Sequence, residues 1–203
     1  TINLMGTLKI IIGPMYSGKT TELINDFKSL QVSLMNKKPH INTITQIAIE
    51  YKNIDNGINF SYIYSHDREV INACLCYKLS DITEFILVNN INNIFINEAQ
   101  FYQDLKEWVI MMLERYKKNI VLCGLDSDFS RKKFGDVWDL IPHADTIVKK
   151  KGTCKYCECH SLFSHKIKQI QEETTEVNSQ IDMDLNKYVP VCRGCYYSLN
   201  RNL

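Results

Sequence analysis

Residues 13–20 read Gly13-Pro14-Met15-Tyr16-Ser17-Gly18-Lys19-Thr20, a G-x-x-x-x-G-K-[ST] pattern that narrows the fold more than any other stretch of the 203-residue chain. The pattern alone is weak, and its context gives it meaning. The apolar run Leu8-Lys9-Ile10-Ile11-Ile12 before it suits a buried strand. After Thr20, apolar residues return at Leu23, Ile24, Phe27, Leu30 and Leu34, which is helical spacing. A strand that enters such a loop and a helix that leaves it turn backbone N–H groups toward one point, and the helix N-terminus adds partial positive charge there. Phosphate oxygens fit that nest; Lys19 then reaches the β- and γ-phosphates of a nucleotide, and Thr20 offers its hydroxyl to magnesium. The plain alternative is a glycine-containing turn with a solvent-facing lysine. The context on both sides argues against it.

Further along, short apolar runs alternate with helical patterns. Strands are expected around 44–49, at Ile94-Phe95-Ile96, at Ile120-Val121-Leu122 and at Thr146-Ile147-Val148. Helices are expected over 80–87, capped by Ser80 or Asp81, and over 105–116. Residues 52–61 read as a loop, because Asn, Asp and Gly interrupt any period. Strands separated by helices require crossovers, hence an α/β fold on a parallel sheet covered on both faces. After Lys149-Lys150-Lys151-Gly152 the pattern changes to cysteines, turns and short strands, so the boundary falls there: residues 1–150 form the phosphate-loop domain and 151–203 a small second domain.

Glu98 lies in Asn97-Glu98-Ala99-Gln100-Phe101, directly after the strand at 94–96. In an open α/β sheet ligands bind beyond the carboxyl ends of strands, which puts Glu98 in the crevice of the phosphate loop. A carboxylate there can hold magnesium through water or take a proton from an attacking hydroxyl. As a rival, Glu98 is a strand cap facing solvent; the phosphate loop favours the functional reading.

Cys154-x-x-Cys157 and Cys192-x-x-Cys195 have the spacing of two zinc knuckles, and four thiolates close a tetrahedral shell, so the zinc is structural. The 34 residues between the pairs form a long loop tied at its base. Cys159 and His160 compete as ligands, but the first pair is already matched. Cys74, Cys76 and Cys123 read as packed thiols. Paired spacing in a chain of this size favours metal over disulfides and a reducing compartment, here the cytoplasm. With 24 basic and 23 acidic side chains the net charge is +1, which does not suit a general nucleic-acid binder. No apolar run reaches membrane-span length, and residues 1–6 lack the pattern of a signal peptide.

These pieces, in this order, resemble the cytosolic-type (type II) thymidine kinase family from about residue 8 to residue 197. Gly-Pro-Met-Tyr-Ser-Gly-Lys-Thr-Thr-Glu-Leu at 13–23 looks like that family's phosphate loop, and Ser65-His66-Asp67-Arg68 resembles its Ser/Thr-His-Asp segment. The stretch 97–102 is similar to its Asp-Glu-x-Gln-Phe-Phe, and 124–135 to its Gly-Leu-Asp-x-x-Phe-x-Arg-x-x-Phe-Gly. Lys187-Tyr188 before Cys192-Arg193-x-x-Cys195-Tyr196 is similar to the end of its zinc domain, which is ribbon-like and carries a lasso loop. The resemblance implies a kinase that moves the γ-phosphoryl of ATP to the 5′-hydroxyl of thymidine, with deoxyuridine as a related substrate, in nucleotide salvage. It gives Glu98 the general-base position and sets Arg131 near the transferred phosphate. It lines the nucleoside pocket with Met15, Phe101, Phe129, Phe134 and Tyr188, and implies a homotetramer with feedback by dTTP.

The chain departs from the family pattern in three places. Asn97 stands where the family has Asp, which removes a charge from the magnesium water shell; Glu98, Asp55 and Asp67 are the acids that can compensate. The Gly-Gly of the lasso is absent around Ile181-Asp182-Met183-Asp184. The loop carrying Asp55 cannot be aligned, so Asp55 receives no role. Asn97 is also the one feature in favour of a different class of protein, a nucleotide-dependent switch whose zinc ribbon contacts nucleic acid or protein. Thymidine-dependent phosphate transfer, against DNA-stimulated hydrolysis, separates the two.

Overall fold

The computed structural model describes residues 5–37, 45–53, 57–167 and 187–200. Asp55, the start of the expected strand at Ile44 and the lasso segment at 181–184 lie outside them.

Strand β1 (Leu8–Gly13) alternates its side chains between two cores. Ile11 faces helix α1 (Lys19–Lys37), whose Leu23, Ile24 and Phe27 form one cluster with Ala48, Phe95 and Cys123. Ile10 and Ile12 face the other side, where Ile47, Ile49, Ile94, Ile96 and Leu122 are buried. That side is closed by helices α2 (Thr83–Val88) and α3 (Leu105–Glu114), which contribute Ile86, Leu105, Trp108, Val109 and Met112. A sheet buried on both faces explains why its central strands read as near-continuous apolar runs.

The other sheet strands are β2 (Gln46–Tyr51), β3 (Asn59–Tyr64), β4 (Val70–Cys76), β5 (Asn93–Ile96), β6 (Asn119–Leu125) and β7 (Thr146–Lys149). Their order is β3-β4-β2-β5-β6-β1-β7, parallel throughout except for β3, which runs antiparallel to β4 at the edge. The β3–β4 hairpin corrects the sequence reading: the loop expected at 52–61 gives way to strand at Asn59, and β4 was not read at all. Phe60, Tyr62 and Tyr64 of β3 are exposed while Ile63 is buried, so this edge strand alternates with its aromatics turned outward.

The expected cap of the 80–87 helix is a second correction. A 3-10 turn (Leu79–Ile82) precedes α2, and neither Ser80 nor Asp81 caps it. Asp104 does so from a distance, its carboxylate accepting from the N–H groups of Leu79 (3.2 Å) and Ser80 (2.9 Å).

Beyond β7 the described strands are short: β8 (Gly152–Thr153) pairs with β9 (His160–Ser161), and β10 (Phe163–Lys166) with β11 (Tyr188–Val191), which leads into helix α4 (Arg193–Leu199). Among the described residues no helix is long and apolar enough to cross a membrane.

Candidate active site

The loop between β1 and α1 folds as its glycines require. Gly18 has φ +77°, and a side chain there would meet open space, so the residue serves the backbone turn and not the packing. Tyr16 also takes a left-handed conformation (φ 58°). Ser17 is buried with its Oγ unpartnered in a loop that lines the cavity, and an oxyanion held there would supply the missing partner. Lys19 is buried too, and its ammonium donates to the carbonyl of Pro14 at 2.8 Å. Burial pulls its pKa down, against the opposing pull of Glu98 and other acidic neighbours.

Opposite the loop, the parallel register of β2, β5 and β6 sets three side chains in a row. Ile49 pairs with Ile96, and Ile96 with Leu122, so Glu50, Asn97 and Cys123 stand side by side one step further on. Asn97 is buried, and its amide donates to Glu50 Oε2 at 2.7 Å. Its carbonyl oxygen accepts from Thr20 Oγ1 at 3.2 Å and from the Cys123 thiol at 2.8 Å. Burial holds the Cys123 thiol far above its usual range, so it is a neutral donor. Burial likewise raises Glu50 to about 7, with the Asn97 amide opposing and the charge of Glu98 adding. Two carboxylates that repel one another beside Thr20 are a donor set suited to a magnesium ion and its waters.

Glu98 itself has left-handed backbone (φ 50°, ψ 42°), a conformation that costs a non-glycine residue on the order of 1 kcal/mol or more. Gln100 holds it there: its amide donates to Glu98 Oε2 at 2.6 Å while its own carbonyl oxygen accepts from Leu125 N at 3.0 Å. Gly135 packs on Gln100 so closely that a Cβ would stand 2.2 Å from the Gln100 carbonyl oxygen.

Loop, row and Glu98 open onto one cavity of about 980 Å³. Met15, Phe101, Phe129, Phe134 and Tyr188 all line it, as do Lys19, Thr20, Asn97 and Glu98. Its aromatic wall is built from contacts: Phe101 stands edge-on to Phe134 (5.5 Å between centroids) and tilted on Tyr51 (5.2 Å), and Phe129 faces Tyr188 (6.1 Å). The Ser65–Arg68 turn forms the outer rim, with Asp67 accepting from Thr21 at 2.9 Å and His66 against Tyr16. Arg131 is elsewhere: its guanidinium lies 4.7 Å from the Tyr196 ring and lines a separate small hollow with Asp126 and Lys149. Sequence reasoning passed over Glu50, Tyr51 and Gln100. For Glu50 the available signal was an acid following the apolar run Ile47-Ala48-Ile49, beside the strand that ends at Ile96 just before Asn97.

Cys154, Cys157, Cys192 and Cys195 come together with their sulfurs within 4.8 Å of one another, and no other such cluster of His, Cys, Asp or Glu is found among the described residues. Burial would raise the Cys154 thiol, but backbone N–H groups at Tyr156, Cys192 and Cys157 outweigh it and lower the pKa to about 6. The backbone N–H of Cys195 similarly lowers Cys192. Hydrogen bonds with the neighbouring sulfurs push Cys157 and Cys195 the other way, upward; a cation among four sulfurs this close would draw off the remaining protons, so the four residues fit a metal ion. Cys159 and His160 are not part of this group.

Comparison with known proteins matches residues 6–196 to the family model described as thymidine kinase. The chain is 34% identical to "Thymidine kinase 1" of Dictyostelium discoideum, over 95% of this chain and 78% of that one. It is 36% identical to the thymidine kinase of Amsacta moorei entomopoxvirus, over 94% of this chain and 97% of the relative. With the thymidine kinase of Oryza sativa subsp. japonica the identity is 30%, over 94% and 66% of the two chains.

Proposed function

Because the chain belongs to the thymidine kinase family, we propose that it transfers the γ-phosphoryl group of ATP to the 5′-hydroxyl of thymidine, giving dTMP. One observation carries this reading: a single cavity joins a phosphate loop to an aromatic-walled compartment, and Glu98 stands where the two meet. Flat apolar walls with few polar groups suit a nucleobase and sugar.

Backbone N–H groups of the loop beyond Met15 and the buried Ser17 hydroxyl receive the phosphate oxygens; Pro14 has no N–H, and that of Met15 is given to Ser164. Lys19 leaves the Pro14 carbonyl for the β- and γ-phosphates, exchanging a neutral acceptor for a charged one. Thr20 and, through water, Asn97 would hold a magnesium ion, which would supply positive charge to offset that of the phosphates. Glu98 draws the proton from the 5′-hydroxyl as the hydroxyl oxygen attacks the γ-phosphorus and the bond to the β-phosphate oxygen breaks, releasing ADP; the strained backbone and Gln100 keep that carboxylate aimed at the nucleoside. Met15, Phe101, Phe129, Phe134 and Tyr188 hold the base and sugar. Arg131 beside the transferred phosphate, as the resemblance implies, requires its guanidinium to leave the Tyr196 ring.

The same proposal includes zinc as the structural ion of the four cysteines, a division into residues 1–150 and 151–203, a homotetramer, feedback by dTTP and a cytoplasmic setting. Labelled ATP incubated with purified protein and each nucleoside in turn is the test. Transfer to thymidine, weaker transfer to deoxyuridine and none to DNA is the expected result. ATP hydrolysis stimulated by single-stranded DNA without nucleoside phosphorylation sinks the proposal.

A further inference from the structure

Asn97 is neutral, yet it occupies the position on the protein side of the magnesium site next to Thr20. The geometry around it names the residue that restores the charge. An ionised Glu50 can only accept, so its partner is the amide NH₂, which turns the Asn97 carbonyl oxygen toward Thr20; that same hydrogen bond favours the ionised form against burial. Glu50, Asn97 and Thr20 thus form a continuous chain of hydrogen bonds in which a negative charge polarises the amide and increases the electron density on the oxygen that meets Thr20. The cavity around this chain holds a second sign of a ligand, the buried and unpartnered Ser17 Oγ. The other acids are spoken for differently: Glu98 is bound to Gln100, and Asp67 is exposed and bound to Thr21.

We propose that Glu50, acting through Asn97, supplies the negative charge of the magnesium site, as a positioning residue for the nucleotide-bound ion. This rests on the reading of the chain as an ATP-dependent kinase. The carboxylate stands on β2, one strand across the sheet from Asn97 just past the end of β5, and the amide between transmits its charge.

The test uses the full chain and reads binding, not turnover. Manganese stands in for magnesium, and its affinity for the protein in the presence of ATP is followed by electron paramagnetic resonance. ATP binding in EDTA is followed separately with a fluorescent analogue. Glu50→Gln should weaken manganese binding by about 10- to 100-fold, the usual loss when a partner of a metal-site ligand is removed, and leave metal-free ATP binding within about two-fold. Adding Asn97→Asp to Glu50→Gln puts the charge back at the other end of the hydrogen bond and should restore the affinity, a rescue that a merely structural role for Glu50 does not produce. Asn97→Asp alone sets two carboxylates in contact and should not tighten manganese binding. If Glu50→Gln does not fold, the double variant carries the test alone, since it must bind manganese as wild type does. Unchanged manganese affinity in Glu50→Gln, or no rescue in the double variant, overturns the proposal while leaving the kinase reading intact. A wild type that binds no ATP in EDTA removes both.

Discussion

Glu98 shows how a single residue is prepared for chemistry before substrate arrives. Its left-handed backbone is unfavourable for a side chain of this kind, and the Gln100 bridge to Leu125 sustains it. The arrangement turns the carboxylate out of the strand direction and into the cavity. Glu98→Gln keeps the size and can still pair with Gln100, but it cannot take a proton. Turnover should fall by about 10²- to 10⁴-fold, the usual worth of a general base. Equilibrium binding of ATP and of thymidine should change little. Single-turnover kinetics beside a binding isotherm decide between this and a role in substrate binding; near-normal turnover would move the base elsewhere, with Asp67 at the cavity rim the next to examine.

At the scale of elements, the interplay of local and distant signals is plain at α2. The 3-10 turn that leads into it begins with orphan N–H groups that its own side chains do not satisfy, and Asp104, at the entrance of α3, accepts those of Leu79 and Ser80. Asp104→Ala should cost about 1 kcal/mol, as helix caps do, with the melting midpoint lower by roughly 2–4 °C for a chain this long. Thermal denaturation with unchanged kinetics would support this; no shift would mean that water replaces the cap at no cost. The same case shows which features were legible in the sequence. Strand β1, the loop and α1 could be read because their signal is local: an apolar run, an octet of fixed chemistry and a 3.6-residue period. The cap of the 3-10 turn before α2 could not, because its acceptor comes from another element. Glu50 was missed for a related reason, since only the β2–β5 register brings it to Asn97. Strand β3 was missed because an edge strand has one solvent face, and Asn and Ser among its aromatics blur the alternation. The aromatic wall at Phe101, Phe129, Phe134 and Tyr188 came from the resemblance, as each ring taken alone reads as core.

For the molecule as a whole, the four-cysteine cluster lies outside the cavity but governs part of its wall. It ties the end of β8 to α4, and α4 carries Tyr196, whose hydroxyl donates to the Phe129 carbonyl at 3.0 Å. Arg131 stacks on that same tyrosine, and β11 begins with Tyr188, which faces Phe129 across the cavity. Ser164 on β10 accepts from the Met15 N–H at 3.0 Å, reaching the phosphate loop directly. Removing the metal takes away the link between the two cysteine pairs, so the small core of Val191 and Tyr196 beneath them loosens and its hold on Phe129 with it. Chelation, or Cys195→Ser, should therefore release about one zinc ion per chain and raise the KM for thymidine roughly tenfold, the equivalent of one lost hydrogen bond of the stronger kind. ATP binding should suffer less, because Gly18, Lys19 and Thr20 belong to the β1–α1 unit and their nest is built from local backbone. Elemental analysis alongside separate KM measurements for the two substrates makes the comparison. Equal loss for both substrates would mean that the cluster supports the whole fold and not one wall, and an unchanged thymidine KM in metal-free protein would sever the cluster from the site altogether.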